Sequence, residues 1–367
     1  MGSRMRKWSM GLMCVVCIAC SAPPTATPPP PTATLVPPTA TLAPPTATLA
    51  PPTATLVPPT ATLVPPTAIP APTACRERPH GTGKAPGSNE LQPGGNRLRI
   101  ARSDTLQTWT VDDAYLIDQA ATPSLPMSAS GNPLLYMTAH AINGKQDGFA
   151  VSVGDPTGQT WRHCYVELKG FPAGFLGVDP DVVRLADHQY RVYLTGGLRQ
   201  GERTLGIHYA DSTDGITWEY GGIAFAYTDS VIDSMTFKQG DTWHMYVLPM
   251  GGIDMIHATS SDGKTFVAEG QATRRIAKKP SVLSHASAAT DGTPSTIILG
   301  FQPPGKGVYM AQTSDGTTLE AVPGITNPII PVGNGDALFT RDPAMVALAE
   351  STAEQPSYLI VYATAIP

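Results

Sequence analysis

Short apolar runs broken by turn residues dominate the chain beyond residue 98, and the stretch from Gly177 to Trp218 shows the pattern most plainly. Val182-Val183 and Val192-Tyr193-Leu194 are β-branched, aromatic or apolar runs of strand length. Asp187-His188 and Asp214-Gly215 punctuate them, because Asp and Gly tolerate the backbone angles of a tight reversal. The spacing predicts a four-stranded antiparallel meander.

The meander repeats. Ala-x-Ser/Thr, a turn, then Thr and a large apolar residue occurs at Ala101-Arg102-Ser103 with Thr108-Trp109 and at Ala150-Val151-Ser152 with Thr160-Trp161. It recurs at Ala210-Asp211-Ser212 with Thr217-Trp218, Ala258-Thr259-Ser260 with Thr265-Phe266, and Ala311-Gln312-Thr313 with Thr318-Leu319. A second register alternates with it, at Thr122-Pro123-Ser124, Asp179-Pro180-Asp181, Asp233-Ser234-Met235, Lys279-Pro280-Ser281 and Asp342-Pro343-Ala344, and each of these precedes a β-rich strand. Copies at a period of roughly 50 residues with four short strands apiece predict an all-β, five-bladed propeller over 99–367. Residues 99–118 supply two outer strands and 342–363 two inner ones, so both chain ends complete one blade and remove a free edge. The turn register resembles the Asp-box of sialidases, although Ser212-Thr213-Asp214-Gly215 lacks the residue usual between Asp and Gly.

The segments before the propeller differ in kind. In 1–20, Arg4, Arg6 and Lys7 precede the apolar run Met10 to Ala19, too short to span a bilayer comfortably, and Cys17-Ile18-Ala19-Cys20 resembles a bacterial lipobox. This predicts an exported protein lipid-anchored through Cys20 at a bacterial cell surface. Residues 21–74 repeat Pro-Pro-Thr-Ala-Thr-Leu, which favours an extended chain reaching on the order of 150 Å, a proline-rich stalk. Residues 75–98 read as a loosely ordered polar lead-in. In an oxidising compartment Cys75 and Cys164 either pair as a disulfide or remain two free thiols.

Charge narrows the partners. A net charge of −5 with no Lys/Arg run in the propeller argues against nucleic acid. No phosphate-binding loop or zinc-type spacing stands in the chain, so no cofactor is expected; clustered carboxylates suit calcium, but no pattern indicates it. His208, His244 and His257 lie in or beside strands and read as packed residues. Inner strands of a propeller line its channel, which converges Thr122, Asp179, Asp233, Lys279 and Asp342 on one funnel, with Asp181 close by. Carboxylates there accept hydrogen bonds from sugar hydroxyls, and a suitably separated pair runs acid/base chemistry on a glycosidic bond.

Asp179-Pro180-Asp181-Val182-Val183 followed by Tyr190-Arg191-Val192-Tyr193, and Val231-Ile232-Asp233 followed by Trp243-His244-Met245-Tyr246, resemble the five-bladed glycosidases of the arabinanase, levansucrase and invertase superfamily, including glycoside hydrolase families 43 and 32. The resemblance implies an Asp on the first inner strand, an Asp on the third and a Glu on the fourth. By position these fall at Thr122, Asp233 and Lys278-Lys279, so part of the acid set is missing. The expected function is a glycan-directed surface protein that binds or hydrolyses an extracellular polysaccharide, with Asp179, Asp233 and Asp342 as a shifted catalytic set and Asp181, Lys279 and Thr122 as ligand contacts. The alternative is a non-catalytic propeller displayed as a protein-interaction or scaffold module.

Overall fold

The computed structural model describes residues 75–366 apart from 90–91, 141–147, 198–203, 251–254, 272, 276–283, 291–294, 302–306, 333–338 and 349–356. The segments read as signal and stalk, with Cys20, and Lys279 lie outside the described residues. The strands form five sheets. β1 (Asn96–Ser103) and β2 (Thr110–Asp118) are outer strands. The first complete blade is β3 (Ala120–Ser124), β4 (Leu134–Ala139), β5 (Gly148–Gly154) and β6 (Trp161–Tyr165). After β7 (Glu167–Lys169), the second blade is β8 (Val178–Ala186), β9 (Gln189–Gly196), β10 (Gly206–Ser212) and β11 (Thr217–Phe225). The third is β12 (Val231–Gln239), β13 (Thr242–Pro249), β14 (Ile256–Ser260) and β15 (Val267–Gln271). After β16 (Thr273–Arg275), the fourth is β17 (Ser284–Thr290), β18 (Thr296–Phe301), β19 (Val308–Thr313) and β20 (Thr318–Ala321). β21 (Thr340–Ala347) and β22 (Tyr358–Ala365) then join β1 and β2, with β22 paired antiparallel to β1 from Asn96↔Ala365 to Ser103↔Tyr358. The five-bladed ring is closed by both chain ends.

Two strands have no counterpart in the sequence pattern. β7 pairs parallel with β11, and β16 parallel with β20, each a three-residue strip on the outer edge of the following blade. Glu167, Leu168 and Lys169 are all exposed, so no apolar alternation marks them. Their effect is to cover an edge that would otherwise offer unpaired N–H and C=O groups.

The lead-in is tied down rather than loose. Cys75 and Cys164 form a disulfide with Cα atoms 5.3 Å apart, the Arg78 N–H donates to the His163 carbonyl at 2.9 Å, and the Tyr165 N–H donates to the Arg76 carbonyl at 3.0 Å. The Arg76 guanidinium also lies 4.1 Å from the Tyr165 ring centre.

The repeated Ser/Thr-x-Asp-Gly register is a hydrogen-bonded turn. Ser212 Oγ accepts the Gly215 N–H at 2.9 Å, and Asp214 Oδ1 accepts those of Ile216 and Thr217 at 2.8 and 2.7 Å. Ser260 with Asp262, and Thr313 with Asp315, repeat the scheme. The turn glycine sits at positive φ (75° at Gly215), and a Cβ there would meet Tyr136 Oη at 2.6 Å. That hydroxyl, on the second strand of the preceding blade, donates to the Gly215 carbonyl at 2.9 Å. Tyr193 reaches Gly263 and Tyr246 reaches Gly316 in the same way. Between the first two blades, fully buried Trp218 stands edge-on to Tyr136, with ring centres 5.6 Å apart, among Leu134, Val192 and Ala210.

These turns make the fold sensitive to acid. Backbone N–H donors, Thr318 foremost, pull the Asp315 carboxyl down to about 2 against the opposing effect of burial, and Asp262 is lowered by the Lys264 N–H and its neighbours. A carboxyl whose folded pKa lies below its unfolded value near 3.9 stabilises the fold above that value and ceases to do so as pH falls through the folded one. Replacing Asp262 and Asp315 by Asn should therefore flatten the loss of urea midpoint between pH 4 and 2 relative to wild type. Equal slopes would show that these carboxylates do not set acid stability.

Candidate functional site

Each inner strand carries a bulge at the same place. Thr122-Pro123 face Met137 alone, because Ala121 pairs with Thr138 and Ser124 with Tyr136. Asp179-Pro180 stand likewise between Val178↔Thr195 and Asp181↔Tyr193, Asp233-Ser234 between Ile232↔Leu248 and Met235↔Tyr246, and Asp342-Pro343 between Arg341↔Ala363 and Ala344↔Val361. Two residues opposite one is the signature of a β-bulge, which bends the strand and re-aims a side chain. The first residue of each lies in the left-handed region, with φ of 49° at Thr122, 51° at Asp179, 57° at Asp233 and 50° at Asp342. Asp is among the non-glycine residues that tolerate this region, whereas β-branched Thr is not, and such a conformation costs about 1–3 kcal/mol unless its surroundings hold it.

Neighbouring threonines do the holding. Thr138 Oγ1 accepts the Asp179 N–H at 2.8 Å and also receives a hydrogen bond from Thr122 Oγ1 at 2.8 Å. Thr195 Oγ1 accepts the Asp233 N–H at 3.1 Å. A threonine near the end of one blade's second strand thus fixes the bulge of the next.

The bulges bring Thr122, Asp179, Asp233 and Asp342 together around one axial cavity, with Pro123, Pro180 and Ser234 completing its wall. The cavity holds about 20 Å³, room for roughly one water-sized group. Asp233 and Asp342 are buried, with 2% and 3% of their surface exposed. Asp342 Oδ2 lies 3.3 Å from Arg341 Nε, whose guanidinium stacks 4.4 Å from the Phe339 ring centre. Three aspartates and a threonine therefore line the cavity at the start of the inner strands, with Arg341 beside Asp342. Among the described residues, no three His, Cys, Asp or Glu side chains are grouped to hold a metal ion.

The fourth blade departs from the expected register. Its bulge falls between Ser284↔Phe301 and Ser287↔Leu299, which gives His285 the position that Asp179 and Asp233 occupy in their blades. The expected Lys279-Pro280-Ser281 start lies outside the described residues. Asp181 is separated from the ring. It lies beyond the bulge and lines the opposite mouth of the channel, a cavity of roughly 440 Å³ shared with Thr236, Phe237, Trp243 and Met345. Sequence reading missed Thr138, Thr195 and Arg341, the residues that set or balance the ring. The only signal was a Thr near the end of two second strands.

No protein-family model matches the chain, and no curated protein matches it in sequence. Solved structures do match in fold. An N-acetylgalactosamine deacetylase from F. plautii, solved in complex with blood group B trisaccharide, superposes with a TM-score of 0.51 at 12% identity, covering 69% of this chain and 82% of that one. A protein of unknown function from Dyadobacter fermentans covers 77% and 87% at 13% identity and a TM-score of 0.49. CoXyl43, a GH43 β-xylosidase/α-arabinofuranosidase from a compost microbial metagenome in complex with xylotriose, covers 63% and 83% at 15% identity and 0.48. The likeness is one of fold.

Burial pushes the Asp181 carboxyl up to about 8, only partly countered by the hydroxyl and N–H of Thr236. The folded chain thus keeps a proton that the unfolded chain sheds near 3.9, so this group favours the fold at low pH and its contribution is lost as pH rises from about 4 to about 8. Asp181→Asn should show a smaller decline in urea midpoint between pH 5 and 8.5 than wild type. Parallel declines would mean that Asp181 ionises normally.

Proposed function

We propose that this chain is a glycan-directed propeller that receives a polysaccharide at the Asp179, Asp233 and Asp342 ring. One observation carries the reading: bulges at corresponding positions place three aspartates in the wall of one axial cavity. Ionised carboxylates are acceptors only, suited to the clustered hydroxyl donors of a sugar. Because the cavity has room for about one water-sized group, a hydroxyl enters between the carboxylates while the sugar ring rests above them. The oligosaccharide bound by the F. plautii protein supports the same use of the fold here.

If the chain also hydrolyses its glycan, Asp179, Asp233 and Asp342 supply the acids, with Arg341 beside Asp342. Thr122 has no carboxyl to offer as base or nucleophile. That one substitution favours a second reading, in which the propeller is a non-catalytic interaction module. The basic start, short apolar run and Cys20 support export and a lipid anchor at the cell surface, with the proline-rich segment as a stalk.

The test screens the full chain against plant and bacterial polysaccharides for both retention and released reducing sugar. We expect retention that falls at least tenfold in Asp233→Asn and in Asp179→Asn. Release lost in the same variants would add hydrolysis, and retention without release would define a lectin. Unaltered retention in both variants, or none in wild type, would overturn the assignment in favour of the interaction module.

A further inference from the structure

The second blade carries an aromatic recess that the acid ring does not use. Phe175, His208, Tyr220, Ile223 and Tyr227 line a cavity of roughly 420 Å³, within the size range of small-ligand sites. His208 is buried and its Nδ1 lies 2.9 Å from Tyr220 Oη, so the two polar tips hold each other in place. Phe175 meets His208 edge-on with ring centres 4.9 Å apart, and Phe171 backs both Phe175 and Tyr220 at 4.9 Å. Phe175 is seated against Gly196, where an added Cβ would come within 2.3 Å of its ring. Against this fixed wall, Ile223 and Tyr227 leave 56% and 43% of their surface to solvent, large for apolar and aromatic residues.

Register places the recess relative to the ring. Val178, Thr195, Ile207 and Phe225 form one row across the second blade. Asp179 follows the first of them, while His208, Ile223 and Tyr227 flank the last two. Both sites therefore lie at the same end of the blade. Neighbouring strands are ~4.8 Å apart, so β10 and β11 stand roughly 10–15 Å from β8, a distance that a few linked sugar rings cover. An aromatic wall presents an apolar face with polar tips, which matches the C–H face and flanking hydroxyls of a sugar ring.

We propose that this recess is an accessory carbohydrate site that stacks a sugar ring three strands away from the inner strand that carries Asp179 and so retains longer glycan chains. The inference rests on the glycan-directed reading above. It assigns Tyr220 and Tyr227 as stacking residues and His208 as the residue that positions Tyr220.

The test is affinity electrophoresis of the full chain through gels containing arabinoxylan, arabinan or galactan. Tyr227→Ala changes an exposed side chain and should leave the fold intact, which circular dichroism checks. It should cut retardation at least fivefold, Tyr220→Ala should do the same, and Tyr220→Phe, which keeps the ring, should retain most of it. Wild-type retardation with both alanine variants unchanged would overturn the recess alone and leave the acid-ring reading standing. Loss in the tyrosine variants with Asp233→Asn unaffected would uphold the recess and overturn the ring. No wild-type retardation in any gel would overturn both. A wild-type dimer that dissociates in Tyr227→Ala, without any glycan effect, would make the recess a contact between copies instead.

Discussion

A tyrosine hydroxyl bonded to the carbonyl of a turn glycine in the next blade is the contact on which this ring depends. Tyr136, Tyr193 and Tyr246 each sit on a blade's second strand and each reaches across to Gly215, Gly263 or Gly316. Their rings are buried, so the phenol must find an acceptor or forfeit the hydrogen bonds it had in water. The acceptor exists only because the Ser/Thr-x-Asp-Gly turn is already closed by its own side chains. Turn and tyrosine therefore specify each other, and they set the blade-to-blade spacing within which Trp218 and its neighbours pack.

Much of this was legible because it repeats. The turn register, the second strands and the sharing of one blade by both chain ends follow from residue types recurring at a steady period, and the pairing of β22 with β1 realises that sharing. The bulges were half legible. Asp179-Pro180 and Asp342-Pro343 look alike in sequence, but what defines the position is a backbone register, and His285-Ala286 fills it without resembling either. Lys279-Pro280 imitates the motif in sequence and lies outside the described residues. β7 and β16 could not be seen, since three residues held by backbone pairing alone leave no trace in side-chain pattern. The aromatic recess was equally hidden: its residues come from separate loops and two strands, and nothing in their spacing announces that they meet.

The division of labour between backbone and side chain bears on function. Bulge geometry and the threonines behind it place the axial residues, and together they hold even β-branched Thr122 at positive φ. The two mouths of the channel also differ in character: one gathers carboxylates around a space for a single small group, whereas the other is wider, partly apolar and has Asp181 within it.

The bond between Cys75 and Cys164 has a mechanical meaning. Seventy-four residues precede Cys75, and any pull they transmit reaches the disulfide before it reaches β1. Force then enters the ring through β6, the outermost strand of a blade made from continuous chain. The closing blade, whose inner and outer pairs come from distant parts of the chain and pair through β22 and β1, is left out of the load path. The seam by which the ring could open is thus shielded by a covalent bond in the blade beside it.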